Sequence, residues 1–86
     1  MIEDQWSSLD EDCMRHAMDR AYERYFVCLS EVDIEEMICS IQSGRAKYVR
    51  HDWPSNSVWL VMDEGVVFKA VYNGREKRIC TFLPIA

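Results

Sequence analysis

From Cys13 to Tyr25 the apolar residues return every three or four positions: Cys13, Met14, Ala17, Met18, Ala21, Tyr22 and Tyr25. That spacing draws one stripe along an α-helix. Asp12, Arg15, His16, Asp19, Glu23 and Arg24 fall largely off the stripe and are expected to face water. Ser8-Leu9-Asp10-Glu11 has the capping-box spacing, so the helix is predicted over about residues 9–25. The run Tyr25-Phe26-Val27-Cys28-Leu29 holds no helical stop residue and is densely apolar, which predicts a short connection dipping into the core.

A second helix is predicted over about residues 31–43. Ser30 stands at its N-cap with Asp33 at the third helical position, and Leu29 and Ile34 have the spacing of a hydrophobic staple. Ile34, Met37, Ile38 and Ile41 follow the i, i+3, i+4, i+7 pattern, and Gly44 stands where a left-handed residue closes a helix.

After Gly44 the period falls toward two. Residues 45–51 alternate loosely, with Ala46 and Tyr48 on one face and Lys47, Val49 and His51 on the other. Trp53-Pro54-Ser55-Asn56 reads as a turn. Residues 57–62 and 66–72 are β-branched and aromatic runs of strand length, linked by Asp63-Glu64-Gly65. Asn73-Gly74 predicts a type I′ turn into a last strand over residues 77–83, stopped by Pro84. Such short links force neighbouring strands antiparallel. The fold class is therefore α+β: two N-terminal helices followed by a four-stranded antiparallel meander sheet. Trp59 and Val61 alternate with Val58, Leu60 and Met62, so the second strand is apolar on both sides. A curled sheet that covers some far-face residues would satisfy it, as would a homodimer through that face.

Length confines this architecture to one domain, residues 1–86. No apolar run approaches the roughly 20 residues that span a bilayer, and the acidic start Met-Ile-Glu-Asp leads into no secretory signal. A cytoplasmic protein with no membrane contact is expected. Cys13, Cys28, Cys39 and Cys80 form no closely spaced pair of the kind zinc sites use, so no metal or cofactor is implied and small buried thiols are expected.

Charge divides the chain. Residues 1–36 carry eleven acids and three bases, a net of −8, whereas residues 37–86 carry four acids and seven bases, a net of +3. Some of the acids serve helix starts, where the macrodipole favours them. Asp10, Glu11, Asp12, Asp19, Glu23, Glu31, Glu35 and Glu36 nevertheless form a set able to engage a basic surface on a protein partner, with Trp53 as an apolar anchor outside the regular elements. An acidic chain is poorly suited to direct, non-specific nucleic-acid binding, which rests on many Lys and Arg contacts with phosphate. The basic strands offer a different chemistry. RNA cleavage without a metal needs a base, an acid and cations on the phosphate, and His51 with Lys47, Lys69 and Arg78 could supply them. Solvated strand residues would carry the same pattern.

The order helix, helix, four strands resembles the RelE-like superfamily. The likeness runs through His16-Ala17-x-x-Arg20, Ser30-Glu31-x-Asp33-Ile34-Glu35, Val67-Phe68-Lys69-Ala70-Val71-Tyr72 and Arg78-Ile79-Cys80-Thr81-Phe82-Leu83-Pro84. It implies a ribonuclease toxin or a related domain, although family toxins are typically basic and this chain is acidic. In size and charge the chain is similar to phage-borne inhibitors of the anti-CRISPR type. The leading expectation is a non-catalytic protein-binding module or inhibitor; the alternatives are a RelE-like ribonuclease toxin and a dimeric structural domain.

Overall fold

The computed structural model describes the backbone of residues 2–52 and 54–85, and the side chains of residues 14–52 and 54–85. Helices α1 (Ile2–Tyr25) and α2 (Glu31–Gln42) precede strands β1 (Lys47–Asp52), β2 (Asn56–Asp63), β3 (Val66–Asn73) and β4 (Arg78–Leu83). The strands form one antiparallel sheet in the order β1-β2-β3-β4, the meander that the short links require. Trp6, Asp10, Glu11, Asp12, Cys13 and Trp53 lie outside the described side chains.

Helix α1 begins at Ile2 rather than near Leu9, so Ser8-Leu9-Asp10-Glu11 lies within it and marks no helix start. Serine weakens a helix interior too little to stop it there. Helix α2 starts as its sequence predicts. The Ser30 hydroxyl accepts from the Asp33 N–H at 3.2 Å, and the Asp33 carboxylate accepts from the Ser30 N–H at 3.0 Å. Leu29 and Ile34 are both buried, in keeping with a staple. At the other end Arg45 N–H donates to the Ser40 carbonyl and Gly44 N–H to the Ile41 carbonyl, the paired bonds of a Schellman closure. Gly44 sits there at φ +81°, open to a residue without a side chain.

The two ends of the connection between the helices behave differently. Leu29 is buried and Val27 packs on the core, but Phe26 is 83% exposed and Cys28 is exposed. The expected dip into the core therefore holds for only part of the run. Phe26 is the left-handed residue closing α1, at φ +58°, and its N–H donates to the Tyr22 carbonyl at 2.9 Å. That reversal swings its ring away from the core. The expectation of buried thiols fails likewise: Cys28 and Cys39 are exposed, and Cys80 is half-buried.

Asp63 pairs with Val66, and both intervening residues have positive φ, Glu64 at 50° and Gly65 at 81°. This is a two-residue type I′ turn, whose twist matches that of the strands. The predicted Asn73-Gly74 turn is not of this kind. Asn73 pairs with Arg78 across a four-residue loop, in which Lys77 N–H donates to the Asn73 carbonyl at 2.7 Å and Lys77 takes φ 59°. Gly74 instead donates its N–H to the Ser55 carbonyl at 3.0 Å, and the Asn73 amide bonds both the Glu76 N–H and the Asn56 side chain. Tertiary bonds to the neighbouring β1–β2 turn thus override the local turn preference.

The core lies between the helices and one face of the sheet. α1 contributes Ala17 and Ala21, α2 contributes Ile34, Met37 and Ile41, and the sheet contributes Val61, Phe68, Ala70, Tyr72, Ile79 and Phe82. Phe68 sits between Tyr25 and Phe82, at ring-centre distances of 4.8 and 5.6 Å, within the range where aromatic pairs attract. α1 lies along β4 and closes that edge of the sheet. Arg24 donates to the Phe82 carbonyl; the Tyr25 hydroxyl donates to the Leu83 carbonyl and accepts from the Lys69 N–H at 2.9 Å. On the far face Val58 and Val71 are cross-strand partners and both buried, whereas Met62 stays 69% exposed. The far face is covered only in its centre.

Candidate functional site

Burying Ile34, Met37 and Ile41 turns the opposite side of α2 outward, and Glu31, Val32, Glu35, Glu36 and Cys39 are accordingly exposed. The type I′ turn brings the end of β2 beside this face. Between them runs a surface groove of about 470 Å³, lined by Val32, Glu35, Glu36, Met37, Cys39, Ser40, Arg45, Met62 and Asp63. Its charged rim is mainly acidic, since Glu35, Glu36 and Asp63 stand against Arg45. The carboxylates of Asp33, Glu36 and Asp63 approach to within 4.8 Å of one another, although Asp33 is also engaged in capping α2. None of Glu31, Glu35, Glu36 and Asp63 stands in an ion pair among the described residues. Val32, 61% exposed, and Met62 supply the apolar contacts within this acidic frame.

The acids predicted as one surface are divided. Asp19 and Glu23 line a different cavity, at the corner between α1 and α2, with Met18, Tyr22, Cys28 and Leu29. Glu23 is held by Arg20 at 2.8 Å. Glu31 borders Met14, Arg15 and Met18, and Glu35 faces Lys77 and Arg78 as well as the groove. Among the described residues, Glu35 and Glu36, joined by Asp63, make a continuous acidic edge with exposed apolar groups. Asp63 was missed because its place depends on a turn that returns β2 toward α2. Asp10, Glu11, Asp12 and Trp53 lie outside the described side chains.

The ribonuclease set is separated by a β-bulge. Tyr48 pairs with Trp59 and Arg50 with the next residue, Val58, leaving Val49 as an extra residue in β1. The register puts Lys47 beside Leu60 and Arg50 beside Val58 on the far face, but His51 beside Ser57 on the helix face. Lys47 and His51 do not share a face, contrary to the parity of an unbroken strand. Tyr48, on the helix face, packs edge-on against Trp59 at 5.3 Å, as this register demands. Asp52 binds Arg50 at 3.1 Å, on the face opposite to His51. Lys69 stands between Leu60 and Leu83 on the far face, and Arg78 pairs with Glu76 at 3.3 Å. His16 is exposed on α1, as its place off the stripe predicts.

Compared with protein-family models, curated proteins and solved structures, the chain matches none. The chemistry of the groove must therefore speak for itself. Carboxylates in no ion pair among the described residues, set around exposed Val32 and Met62, suit contact with a cationic surface that also carries apolar side chains.

Proposed function

We propose that the chain is a non-catalytic protein-binding module, an inhibitor of the anti-CRISPR type, that places the acidic face of α2 on a basic nucleic-acid-binding surface of its partner. The observation carrying this reading is the edge of Glu35, Glu36 and Asp63, free of ion pairs among the described residues and set around exposed Val32 and Met62. Carboxylates held on a helix present fixed negative charge, which competes with phosphate for Lys and Arg by electrostatic complementarity. Exposed Val32 and Met62 add area that excludes water from those contacts.

The test begins with affinity purification from the native host and identification of the bound protein. That protein is then titrated against the wild type and a Glu31→Lys, Glu35→Lys, Glu36→Lys variant at moderate salt. A loss of roughly tenfold or more in affinity is expected, since attraction becomes repulsion at three sites. Unchanged affinity would remove the reading.

A RelE-like ribonuclease is the second reading. It is favoured by Lys47 and Lys69, which flank Leu60 on the far face and stand in no ion pair among the described residues. It predicts growth arrest on expression that Lys69→Ala relieves; harmless high-level expression of the wild type would dismiss it.

A further inference from the structure

Two helices in this chain end on a left-handed residue. α2 is closed by Gly44, the residue type that takes positive φ at no steric cost. α1 is closed by Phe26, whose side chain makes that conformation an outlier. The ring gains no burial in return, being 83% exposed, and Tyr22 beside it is 56% exposed. A strained backbone that holds a large apolar side chain out in water is a feature that folding alone does not select.

The surroundings give the exposed ring a direction of use. An open cavity of about 510 Å³ lies at the same corner, lined by Met18, Tyr22, Leu29 and Cys28 together with the acids Asp19 and Glu23. No base lines it. Arg20 is held on Glu23 by bonds of 2.8 and 2.9 Å, and Arg24 is directed to the Phe82 carbonyl. Asp19 stands in no ion pair among the described residues. The corner thus combines protruding aromatics, an apolar hollow and, at Asp19, a carboxylate in no ion pair among the described residues.

We infer that the α1–α2 corner is a docking site for a basic amphipathic segment of a protein partner, with Phe26 as its anchor. This rests on the reading of the chain as an acidic protein-binding module and adds a second contact surface to it. Apolar side chains of the segment cover Phe26 and Tyr22 and enter the hollow over Leu29. Its Lys or Arg groups meet Asp19. A single aromatic anchor in a desolvated centre, rimmed by polar groups, is the usual distribution of binding energy at such contacts.

Two native thiols report separately on the two surfaces, because Cys28 lines the corner and Cys39 lines the α2 groove. The probe is a synthetic leucine–lysine amphipathic helix peptide, with its leucine–glutamate counterpart as control. Alkylation of each cysteine is followed by peptide-resolved mass spectrometry as the peptide is titrated. The lysine peptide is expected to slow alkylation of Cys28, the glutamate peptide to leave it unchanged. Phe26→Ala and Phe26→Gly should each weaken that protection by about tenfold or more, with the melting temperature of Phe26→Gly at or above that of the wild type. Protection of Cys39 alone would overturn the corner site while leaving the acidic face of α2 in place. Protection of neither thiol would overturn both, and protection of Cys28 that survives Phe26→Ala would overturn the anchor.

Discussion

At the scale of single residues, Phe26 and Gly44 perform the same backbone task with opposite chemistry. The left-handed conformation costs a residue with a side chain about 1–2 kcal/mol, whereas glycine adds about 0.4–1 kcal/mol of chain entropy to the unfolded state. Since little of the Phe26 ring is buried, the first figure dominates and Phe26→Gly should stabilise the fold by roughly 0.5 kcal/mol. The reciprocal change, Gly44→Ala, meets no atom within 4 Å, so its cost is that of the backbone alone, about 1 kcal/mol. Thermal melts of the two variants should therefore move in opposite directions, by a few degrees each for a domain of this size. A fall in melting temperature for Phe26→Gly would mean that the ring contributes a contact in the folded state.

At the scale of elements, the join between α1 and the β3–β4 pair depends on one hydroxyl. Tyr25 packs its ring on Phe68 and places its OH between the Lys69 N–H and the Leu83 carbonyl. Tyr25→Phe preserves the aromatic contact but leaves both half-buried backbone groups without that partner, at a cost of about 1–3 kcal/mol. Denaturant melts should show the loss. Faster hydrogen exchange is expected at Lys69 than at Val61, which is held within β2. Equal exchange at the two sites would show that the hydroxyl does not hold the ladder closed. The β1 bulge acts at this scale too. One extra residue, Val49, reverses which side chains of β1 face the helices, and so separates His51 from Lys47 without any change in composition.

At the scale of the whole molecule, the helical part is acidic and the far face of the sheet carries Lys47, Arg50 and Lys69. Arg50 is already engaged, with Asp52. Among the described residues, the acidic face of α2 carries no such ion pair. The triple charge reversal proposed above moves the net charge from −5 to +1, and its effect on partner affinity should shrink as salt rises, because exposed charges are screened over about 10 Å at 0.1 M. An effect independent of salt would point to Val32 and Met62, rather than to the carboxylates, as the source of binding.

The chain's own periodicity determined the number, type and order of its elements, and with them the α+β class. Those signals are local: a capping box, a 3.6-residue stripe and a β-turn are each written within a few residues, as Ser30-x-x-Asp33, Ile34 to Ile41 and Glu64-Gly65 illustrate. Which side chains meet was decided only by tertiary structure. Asp63 joins Glu35 and Glu36 because a hairpin folds back on α2, Gly74 is drawn out of its expected turn by Ser55, and a bulge turns His51 to the opposite side from Lys47. Exposure follows the same logic. An apolar run such as Tyr25 to Leu29 cannot record within itself that one residue will take a left-handed turn, because packing at both ends of the connection fixes that turn.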